Sequence, residues 1–371
     1  MLFKTPPIIE SIIQESVTHN FAYRYDMCVC PVCKNDVVRR ALSAVHPARS
    51  EIEAVSGNEA LRQIRAENNL AINNAILHAI EHVSEHPPHP QAEDRRKTFK
   101  LLLQKILQER GLDFRNYHID LLKRRFAIRI KANDLYSYTE YMKLLDRSPR
   151  EYEKLFETLC INVSEFFRDP PLWVTLQYLL EKMIAEKRAA ADHTLAIWSA
   201  GCANGEEPYS LAIAAAEALR PHAALIRAHI IATDVDKGAL AAAQKAQYSP
   251  DSIKNVNDRL LAKYFIAVEK PGNGETARNK LYRVKEAITG LVTFSSLDLI
   301  TGDFPKGIDL LVCRNVFIYF TRELQEQILR KFFEAIRPGG YLCLGQSESM
   351  LTEVRKLFED TDSNARIYRR P

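Results

Sequence analysis

One stretch of the chain, Ile197 to Ile213, constrains the fold more than any other. Its sequence is IWSAGCANGEEPYSLAI, in which apolar residues lead into a small-residue loop, two glutamates, a proline and the start of an Ala-rich run. This order predicts a strand, a turn and an amphipathic helix. Gly201 and Gly205 allow the backbone to approach a ligand closely, because neither carries a Cβ. Their spacing does not satisfy the G-x-G-x-x-G dinucleotide pattern, so the glycines alone do not define the ligand.

A second predicted strand follows about one βαβ crossover downstream. The segment from Ala228 to Asp234 is an apolar run that ends in an acid, and Asp236 is placed to cap the next helix. A carboxylate at that position can accept hydrogen bonds from both hydroxyls of a ribose. Glu206 and Glu207 at the start of the first helix would repel a pyrophosphate, whereas a carboxylate at Glu206 favours the cationic end of S-adenosylmethionine. The residues therefore predict a methyl donor.

Four segments, taken in order, resemble a known family. They are residues 162–169 (NVSEFFRD), 198–213, 313–320 (CRNVFIYF) and 339–349 (GGYLCLGQSES). In this order they are similar to the CheR family of chemotaxis receptor methyltransferases, and the similarity extends from about residue 97 to the C-terminus. The resemblance implies an α/β fold with a Rossmann-like SAM-binding sheet. It also implies a small antiparallel β insertion at about residues 248–290, which in some members docks a receptor's tethering peptide.

The resemblance further implies which residues hold the donor. We expect Asp234 to bind the ribose, Glu206 the amino group and Arg168 the carboxylate, the last through a bidentate pair. Gly201 contributes through its backbone. The remaining expected donor-site residues are Asn162, Ser164, Asp298, Leu299, Arg314 and Asn315.

Two of these positions differ from the residue that the family usually has. Ser164 replaces a threonine, and either hydroxyl can hydrogen-bond the polar groups of the donor. Asp298 replaces an asparagine, so that an acceptor-only carboxylate stands where an amide both donates and accepts. Recognition of the adenine amine by an acceptor is retained.

The implied reaction is direct methyl transfer from S-adenosylmethionine to a glutamate side chain of a receptor, which yields S-adenosylhomocysteine. No general base is expected, because a glutamate with a pKa of about 4.3 is already ionised near neutrality. Tyr319 is a candidate for lining the acceptor pocket, and a structural tyrosine is the alternative. Two alternative hypotheses are a catalytically idle SAM-binding adaptor and a methyltransferase that acts on another carboxylate.

The segment from residue 97 to 160 is helical in pattern throughout and carries a basic run, Lys123 to Lys131. In the family, the matching helix lies against the acidic helical bundle of a receptor. The expected receptor-binding residues are Lys123, Arg124, Arg125 and Arg129. A solvated basic face is the alternative. Nucleic acid is not expected as a partner, because no base-stacking aromatics are interleaved with these cations.

Three cysteines, Cys28, Cys30 and Cys33, lie within six residues near the N-terminus. Their thiols could present sulfur to one tetrahedral ion such as zinc, with a fourth ligand from elsewhere, or pack as small apolar side chains. A later helical segment places His78, His82 and His86 at i, i+4 spacing, either as a metal-binding ladder or as exposed polar residues.

The N-terminal region, from about residue 2 to 90, is similar to the ComFB family of small helical domains. The resemblance rests on residues 28–38, His46-Pro47 and residues 85–87. It implies a homodimer and a regulatory ligand, a cyclic dinucleotide such as cyclic di-GMP. The ligand candidates are Lys34, Asp36 and Arg40, which could equally form a solvated helix start.

The expected organisation is therefore two all-α domains, residues 1–86 and 97–160, followed by a catalytic domain, residues 161–371, with residues 87–96 as a linker. The 371 residues are 46% apolar and carry a net charge of +4, which is too small to imply nucleic acid. No apolar run reaches the roughly 18 residues of a membrane span, and the N-terminus lacks a signal-peptide pattern. We therefore expect a cytoplasmic protein. The odd number of cysteines, seven, argues against a disulfide framework.

Overall fold

The computed structural model describes residues 7–22, 28, 30–45, 58–86, 88, 95–159, 162, 164–222, 225–269 and 280–371. The chain divides into two compact units, Met1–Leu159 and Cys160–Pro371. The His46-Pro47 part of the ComFB resemblance and most of the expected linker lie outside the described residues. Among the helices that the structure describes, none has the length and apolar content needed to cross a bilayer.

The first unit begins with three helices, α1 (Pro7–Ala22), α2 (Pro31–Ala44) and α3 (Asn58–Glu85). Pro31 stands in the first turn of α2, where its missing N–H costs nothing, and the Cys30 sulfur accepts a hydrogen bond from the Cys33 amide. Apolar side chains from all three helices share one core. It contains Ile9, Ile12, Ile13, Val17, Phe21, Cys33, Val37, Ala41, Ile72, Ile76, Ile80 and Val83.

Four further helices complete the first unit: α4 (Arg95–Arg110), α5 (Ile119–Ala132), α6 (Tyr138–Arg147) and α7 (Pro149–Leu159). They bury a separate core in which the Phe99 ring packs edge-on against Phe126 at a centroid distance of 5.5 Å. The basic run of the sequence lies on α5, whose buried face is made by Leu122, Phe126 and Ile130. The cations of α5 therefore lie outside this buried face.

The second unit contains the remaining elements, in the order of the chain. They are α8 (Pro170–Ala189), β1 (Thr194–Ala200), α9 (Glu206–Leu219), β2 (Arg227–Asp234), α10 (Lys237–Lys245), β3 (Gln247–Tyr248), α11 (Asp258–Tyr264), β4 (Phe265–Glu269), β5 (Lys280–Val284), α12 (Glu286–Thr289), β6 (Val292–Ser296), β7 (Ile308–Cys313), α13 (Arg322–Ala335), β8 (Ile336–Leu344), α14 (Thr352–Arg355), β9 (Glu359–Asp362) and β10 (Ile367–Arg369).

Seven strands form one sheet in the order β6-β2-β1-β7-β8-β10-β9. The first five of these run parallel, whereas β10 is antiparallel to both β8 and β9. Chain order reverses at β1, which has β2 on one side and β7 on the other. In open α/β sheets, ligands bind at the carboxyl ends of the strands beside such a switch point. This confirms the predicted fold and places the loop after β1 at the binding edge.

A second sheet of three antiparallel strands, in the order β3-β5-β4, is inserted between α10 and β6. The predicted antiparallel insertion is thereby confirmed. Tyr248 on β3 belongs to the core of the large sheet and meets the Phe166 ring edge-on at 4.8 Å between centroids. This contact joins the inserted sheet to the segment that enters α8.

A charged cluster is buried on the large sheet, between α8 and β7. The Asp309 carboxylate accepts hydrogen bonds from the Ala196 amide at 2.7 Å and pairs with Lys187 Nζ at 2.8 Å and with the Arg337 guanidinium. Lys187 also pairs with Asp192 at 2.6 Å. Lys187 and Asp309 are both almost fully buried, so each depends on the other for its charge to be tolerated.

Candidate donor-binding site

The loop after β1 is held in a backbone conformation that requires its glycines. Gly201 and Gly205 have φ values of +79° and +93°, in the left-handed region that favours glycine. The amides of Gly201 and Cys202 both donate to the Thr233 carbonyl, at 2.8 and 3.0 Å. A Cβ on Gly201 would lie 2.5 Å from Val316 Cγ2. The loop therefore packs closely between the ends of β2 and β7.

Asp234 lies at the end of β2, as predicted, and is half-buried. Its Oδ2 accepts a hydrogen bond from the Ala203 amide at 2.8 Å, and its Oδ1 accepts one from the Asp236 amide at 2.9 Å. Burial raises the pKa of Asp234, and these amides oppose that rise. A carboxylate has about four lone-pair sites, so two stay available for the two hydroxyls of a ribose.

The segment that contains Asn162 and Ser164 runs beside this carboxylate. Asn162 Nδ2 donates to Asp236 Oδ2 at 2.7 Å, while Asp236 Oδ1 caps α10 by accepting from the Gly238 and Ala239 amides. The Asn162 carbonyl accepts from Asn204 Nδ2 at 3.2 Å. Asn162 is thus connected through Asp236 to Asp234.

Glu206 is the most deeply buried acid of the predicted site, with 3% of its surface exposed. Burial raises its pKa to about 7, and the hydroxyls of Ser164 and Ser252 act to lower it. Among the residues that the structure describes, its Oε2 has no hydrogen-bond partner. An unpartnered, buried carboxylate oxygen is costly, and it becomes favourable when a cationic donor such as an ammonium reaches it. Glu206 therefore fits the role predicted from its position.

Arg314, by contrast, directs its side chain into the protein. Its guanidinium pairs with Glu207 Oε2 at 3.3 Å and with Asp169 Oδ2 at 2.5 Å, and it donates to the Arg168 carbonyl at 3.1 Å. The pKa of Glu207 is raised by burial, and Arg314 opposes that rise. These partners engage both terminal nitrogens of the guanidinium, whereas its buried Nε has no hydrogen-bond partner among the residues that the structure describes. The neighbouring Asn315 has a φ of +60°.

Asp298 also uses its side chain locally. Its Oδ1 accepts from the Ile300 amide at 2.8 Å and its Oδ2 from the Thr301 hydroxyl at 3.0 Å. The adjacent Leu299 is buried, with 7% of its surface exposed. The preceding residue, Leu297, donates its amide to the Asp234 carbonyl at 3.0 Å, which brings this segment to the same sheet edge.

Arg168 and Tyr319, the two remaining candidates of this edge, are both half-buried. Arg168 lies just before α8, and its charge helps to hold the pKa of Glu165 below its ordinary value, after the larger effect of Lys254. Tyr319 belongs to a short 3-10 turn, Phe317–Tyr319, after β7.

One buried acid at this edge was not among the predicted site residues. Glu348, which follows β8, is 4% exposed and accepts hydrogen bonds from the Phe317 amide at 2.8 Å and the Gly345 amide at 2.7 Å. Burial raises its pKa against the action of these amides. The segment 339–349 resembled the family, but a glutamate among small polar residues gives no sign of which amides it will meet.

Carboxyl groups are concentrated at this edge of the sheet. Burial raises the pKa of each of four carboxyl groups, those of Asp234, Glu206, Glu207 and Glu348. Three of them, Asp234, Glu207 and Glu206, also raise the pKa of the buried Cys202 thiol, after the larger effect of its own burial. This environment favours a ligand that carries sulfonium and ammonium charges over a phosphate.

The predicted receptor-binding cations on α5 do not share one environment. Arg124 is exposed, and Lys123 and Arg125 are half-buried. Arg129 differs from the prediction, because its guanidinium forms a bidentate pair with the buried Glu151, at 2.8 and 2.7 Å. Glu151 also accepts from Tyr141 Oη at 2.9 Å. The charge of Arg129 is thus compensated inside the helical domain.

The three cysteines of the first unit converge. The sulfurs of Cys28, Cys30 and Cys33 all lie within 4.8 Å of one another. Although burial opposes it, hydrogen bonds from the Cys33 amide and from Cys28 lower the pKa of Cys30. Burial and the neighbouring sulfurs raise the pKa of Cys33. Among the residues that the structure describes, these three cysteines form a group whose sulfur atoms lie close enough together to hold one metal ion.

The predicted histidine ladder lies along an exposed face of α3. His78, His82 and His86 are all exposed, and the rings of His82 and His86 stack at 5.0 Å between centroids. His78 Nδ1 lies 3.8 Å from Glu81. This arrangement agrees with the alternative of exposed polar residues.

The predicted regulatory residues lie on α2, where Asp36 is buried and pairs with Arg40 at 2.9 Å and with Arg39. Although burial opposes it, Arg40 and Arg39 hold the pKa of Asp36 below its ordinary value. Lys34 is half-buried. Asp36 is therefore engaged in ion pairs within α2. It is neither part of an exposed helix start nor a free ligand group, the two alternatives that the sequence suggested.

The sheet order, the glycine loop after β1 and the acids at the start of α9 and the end of β2 define the class of Rossmann-like, SAM-dependent methyltransferases. Residues 162–367 match the family described as CheR methyltransferase, SAM binding domain, and residues 97–160 match CheR methyltransferase, all-alpha domain. The chain belongs to the CheR methyltransferase family.

Several curated relatives are similar over most of their length, and each is named chemotaxis protein methyltransferase. The relative from Listeria innocua is 31% identical over 259 residues, which cover 70% of this chain and 92% of the relative. The relative from Salmonella typhimurium is 30% identical over 262 residues, 70% of this chain and 85% of the relative. The Escherichia coli K12 relative is 29% identical over 255 residues, 68% and 84% of the two chains.

Proposed function

We propose that this chain transfers a methyl group from S-adenosylmethionine to glutamate side chains of methyl-accepting chemotaxis receptors. The observation that carries the proposal is the pair of acids Glu206, at the start of α9, and Asp234, at the end of β2. Asp234 retains lone pairs for a ribose, and Glu206 holds an unpartnered, buried oxygen where an ammonium would be bound. The relatives, by name, are methyltransferases of chemotaxis.

Each predicted residue then has a distinct part in holding the donor. Asp234 accepts from the ribose hydroxyls, Glu206 accepts from the amino group, and Arg168 pairs with the carboxylate. Ser164 and Asn162 fix the position of the two acids. The remaining contacts to the adenine and methionine ends of the donor come from Leu299, the Asp298 carboxylate and the main chain at Arg314 and Asn315.

When bound, S-adenosylmethionine supplies both the methyl group and a good leaving group. The protein's task is therefore alignment of the acceptor oxygen with the methyl carbon and the sulfur. No side chain needs to remove a proton, because a glutamate acceptor is ionised near neutrality. The half-buried Tyr319, in the turn after β7, is the proposed residue against which the acceptor chain packs.

The receptor partner is proposed to be a helical domain with an acidic surface. The exposed Arg124 and the half-buried Lys123 and Arg125 present positive charge away from the core of the helical domain. Charge complementarity of this kind mainly accelerates association and weakens as salt is added. A receptor domain of this type lies in the cytoplasm, in agreement with the location expected from the sequence.

The proposal is tested by measuring base-labile methyl transfer from labelled S-adenosylmethionine to purified receptor cytoplasmic fragments. The matched variants are Asp234→Ala at the site and Asp251→Ala, an exposed aspartate of the same domain. We expect label that base releases from the wild type and from Asp251→Ala, and its loss in Asp234→Ala. Donor binding without any transfer to a receptor would instead favour the adaptor reading or a different carboxylate acceptor.

We also propose that Cys28, Cys30 and Cys33 bind a soft metal ion, zinc being the first choice. Three sulfurs within 4.8 Å of one another can occupy three positions of a tetrahedral site. Metal analysis of the purified full chain should give about one zinc per chain, and Cys33→Ser should remove it. A full chain without zinc after purification in zinc-containing buffer would contradict this site.

A last proposal, carried by the ComFB resemblance, is that the N-terminal helices dimerise and bind a cyclic dinucleotide. Asp36 and Arg40 pair with each other within α2, so Lys34 is the predicted candidate that we propose to meet a phosphate. Calorimetry of the full chain with cyclic di-GMP, together with light scattering for mass, tests both parts. Unchanged methylation kinetics with and without cyclic di-GMP would contradict a regulatory role.

A further inference from the structure

The turn after β7 is tied to the turn after β8 by a single buried side chain, that of Glu348. Its Oε1 accepts from the Phe317 amide at 2.8 Å and its Oε2 from the Gly345 amide at 2.7 Å. The amides of Asn315 and Val316 also act on this carboxylate and lower its pKa. A carboxylate that accepts from several main-chain amides holds them in one arrangement.

This turn needs to be held. Asn315 has a φ of +60°, in the left-handed region that asparagine adopts more readily than most residues with a side chain but less readily than glycine. A Cβ on Gly345 would lie 2.7 Å from Glu348 Oε2 and 2.9 Å from the Asn315 amide. The absence of a side chain at Gly345 is what lets the carboxylate and the turn approach each other.

The same turn contacts the loop after β1. Val316 is the residue against which a side chain at Gly201 would collide, so its methyl group lies directly on that loop. Two residues further along the loop, the Ala203 amide donates to Asp234. A short series of contacts therefore connects Glu348, through the turn and the loop, to the carboxylate that is proposed to bind the ribose.

We propose that Glu348 is a positioning residue for the methyl donor: it fixes the turn at residues 315–317 so that the donor meets a preformed site. This role rests on the proposed function. Glu348 is buried beneath the turn, so it acts through the turn and not by touching the donor. Loss of its carboxylate should weaken donor binding more than it slows transfer at saturating donor.

The experiment is calorimetric titration of the full chain with S-adenosylhomocysteine, with thermal unfolding measured on the same samples. Glu348→Gln is nearly isosteric but turns an amide N–H₂ toward main-chain donors, so we expect the dissociation constant to rise at least tenfold with unchanged stoichiometry. The matched control is Glu353→Gln, an exposed glutamate that pairs with Arg322 on the surface. We expect the control to bind as the wild type does.

Gly345→Ala provides an independent test that leaves Glu348 in place. Its added Cβ separates the carboxylate from the turn, so the dissociation constant should rise as in Glu348→Gln, and the double variant should be little worse than either alone. An unchanged dissociation constant in Glu348→Gln and Gly345→Ala, whether or not the melting temperature falls, would overturn the inference. Absence of binding in the unaltered protein would instead overturn the proposed function, and the inference with it.

Discussion

Gly201 and Val316 come from different loops, yet a Cβ on Gly201 would lie only 2.5 Å from the Val316 methyl group. The two loops after β1 and β7 are thus in contact at the point where the large sheet reverses its order. Contact of this kind makes the shape of one loop depend on the other. The candidate donor site therefore lies where two segments that are far apart in the sequence meet.

We expect Gly201→Ala to weaken donor binding at least tenfold, because it combines a left-handed backbone with a collision against Val316. Gly307→Ala is the matched control, since Gly307 has a φ of +74° but nothing within 4 Å of an added Cβ. The control should lose only about 1 kcal/mol of stability from backbone strain. Titration with S-adenosylhomocysteine and thermal unfolding of both variants separate the two effects. Equal binding by the two would show that the contact has no part in donor affinity.

Donor binding should depend on the ionisation of Glu206, whose pKa burial raises to about 7. Below that pH the carboxyl is protonated and cannot pair with an ammonium, so affinity should fall as the pH drops from 8 to 6. In Glu206→Gln the dissociation constant should be high throughout and nearly independent of pH over this range. A wild-type affinity that stays constant from pH 6 to 8 would contradict the assignment of Glu206 to the amino group.

The same residue should limit the stability of the donor-free protein. Its pKa is higher in the folded state than the ordinary value of 4.5, so the folded state binds more protons between pH 4.5 and about 7, and stability falls as the pH rises through this window. Above it, Glu206→Gln should be more stable than the wild type by up to about 3 kcal/mol. Urea unfolding at pH 5 and pH 8 measures this, with little difference expected at pH 5.

Arg129 and Arg124, both on α5, should respond differently to removal. Arg129→Ala leaves Glu151 buried without its cation, and we expect a loss of about 3 kcal/mol of stability. Arg124→Ala should leave the melting temperature unchanged but raise the KM for a receptor fragment, more at low salt than at high salt. Unfolding curves and methylation kinetics of the two variants provide the comparison. If Arg129→Ala were as stable as the wild type but had a raised KM for the receptor fragment, Arg129 would count among the receptor-binding residues after all.

Asp309→Ala should destabilise the fold without altering the site chemistry. The substitution leaves Lys187 buried with only Asp192 as a partner, at an expected cost of about 3–5 kcal/mol. At a temperature where the variant is still folded, its dissociation constant for S-adenosylhomocysteine should equal that of the wild type. A large change in that constant would mean that the buried cluster also shapes the donor site.

The sequence predicted those parts of the fold that local pattern determines. The strand before Gly201, the helix that starts at Glu206 and the acid that ends β2 each follow from apolar runs, glycine and capping residues in the immediate neighbourhood. Ordered motifs then identified the family. The antiparallel insertion was predicted by resemblance, and its strands are present.

The partners of charged side chains could not be predicted in this way. Arg129 meets Glu151 on another helix, and Arg314 meets Asp169 from a segment far earlier in the chain. Nothing in the neighbouring residues marks these cations as internally paired. Glu348 was missed for the same reason, since one of the amides that it accepts from, that of Phe317, belongs to a different turn.

The arrangement around Glu348 has a consequence for the order in which the protein matures. During synthesis, β1, β2 and the loop that holds Asp234 leave the ribosome well before residue 348 does. The turn at residues 315–317, which includes the left-handed Asn315, cannot form its hydrogen bond to the Glu348 carboxylate until residue 348 has been synthesised. On the proposed role of Glu348, a nascent chain gains its donor pocket only after residue 348 has been added, and a chain truncated between β8 and residue 348 would carry every predicted donor-binding side chain yet lack a site of the right shape.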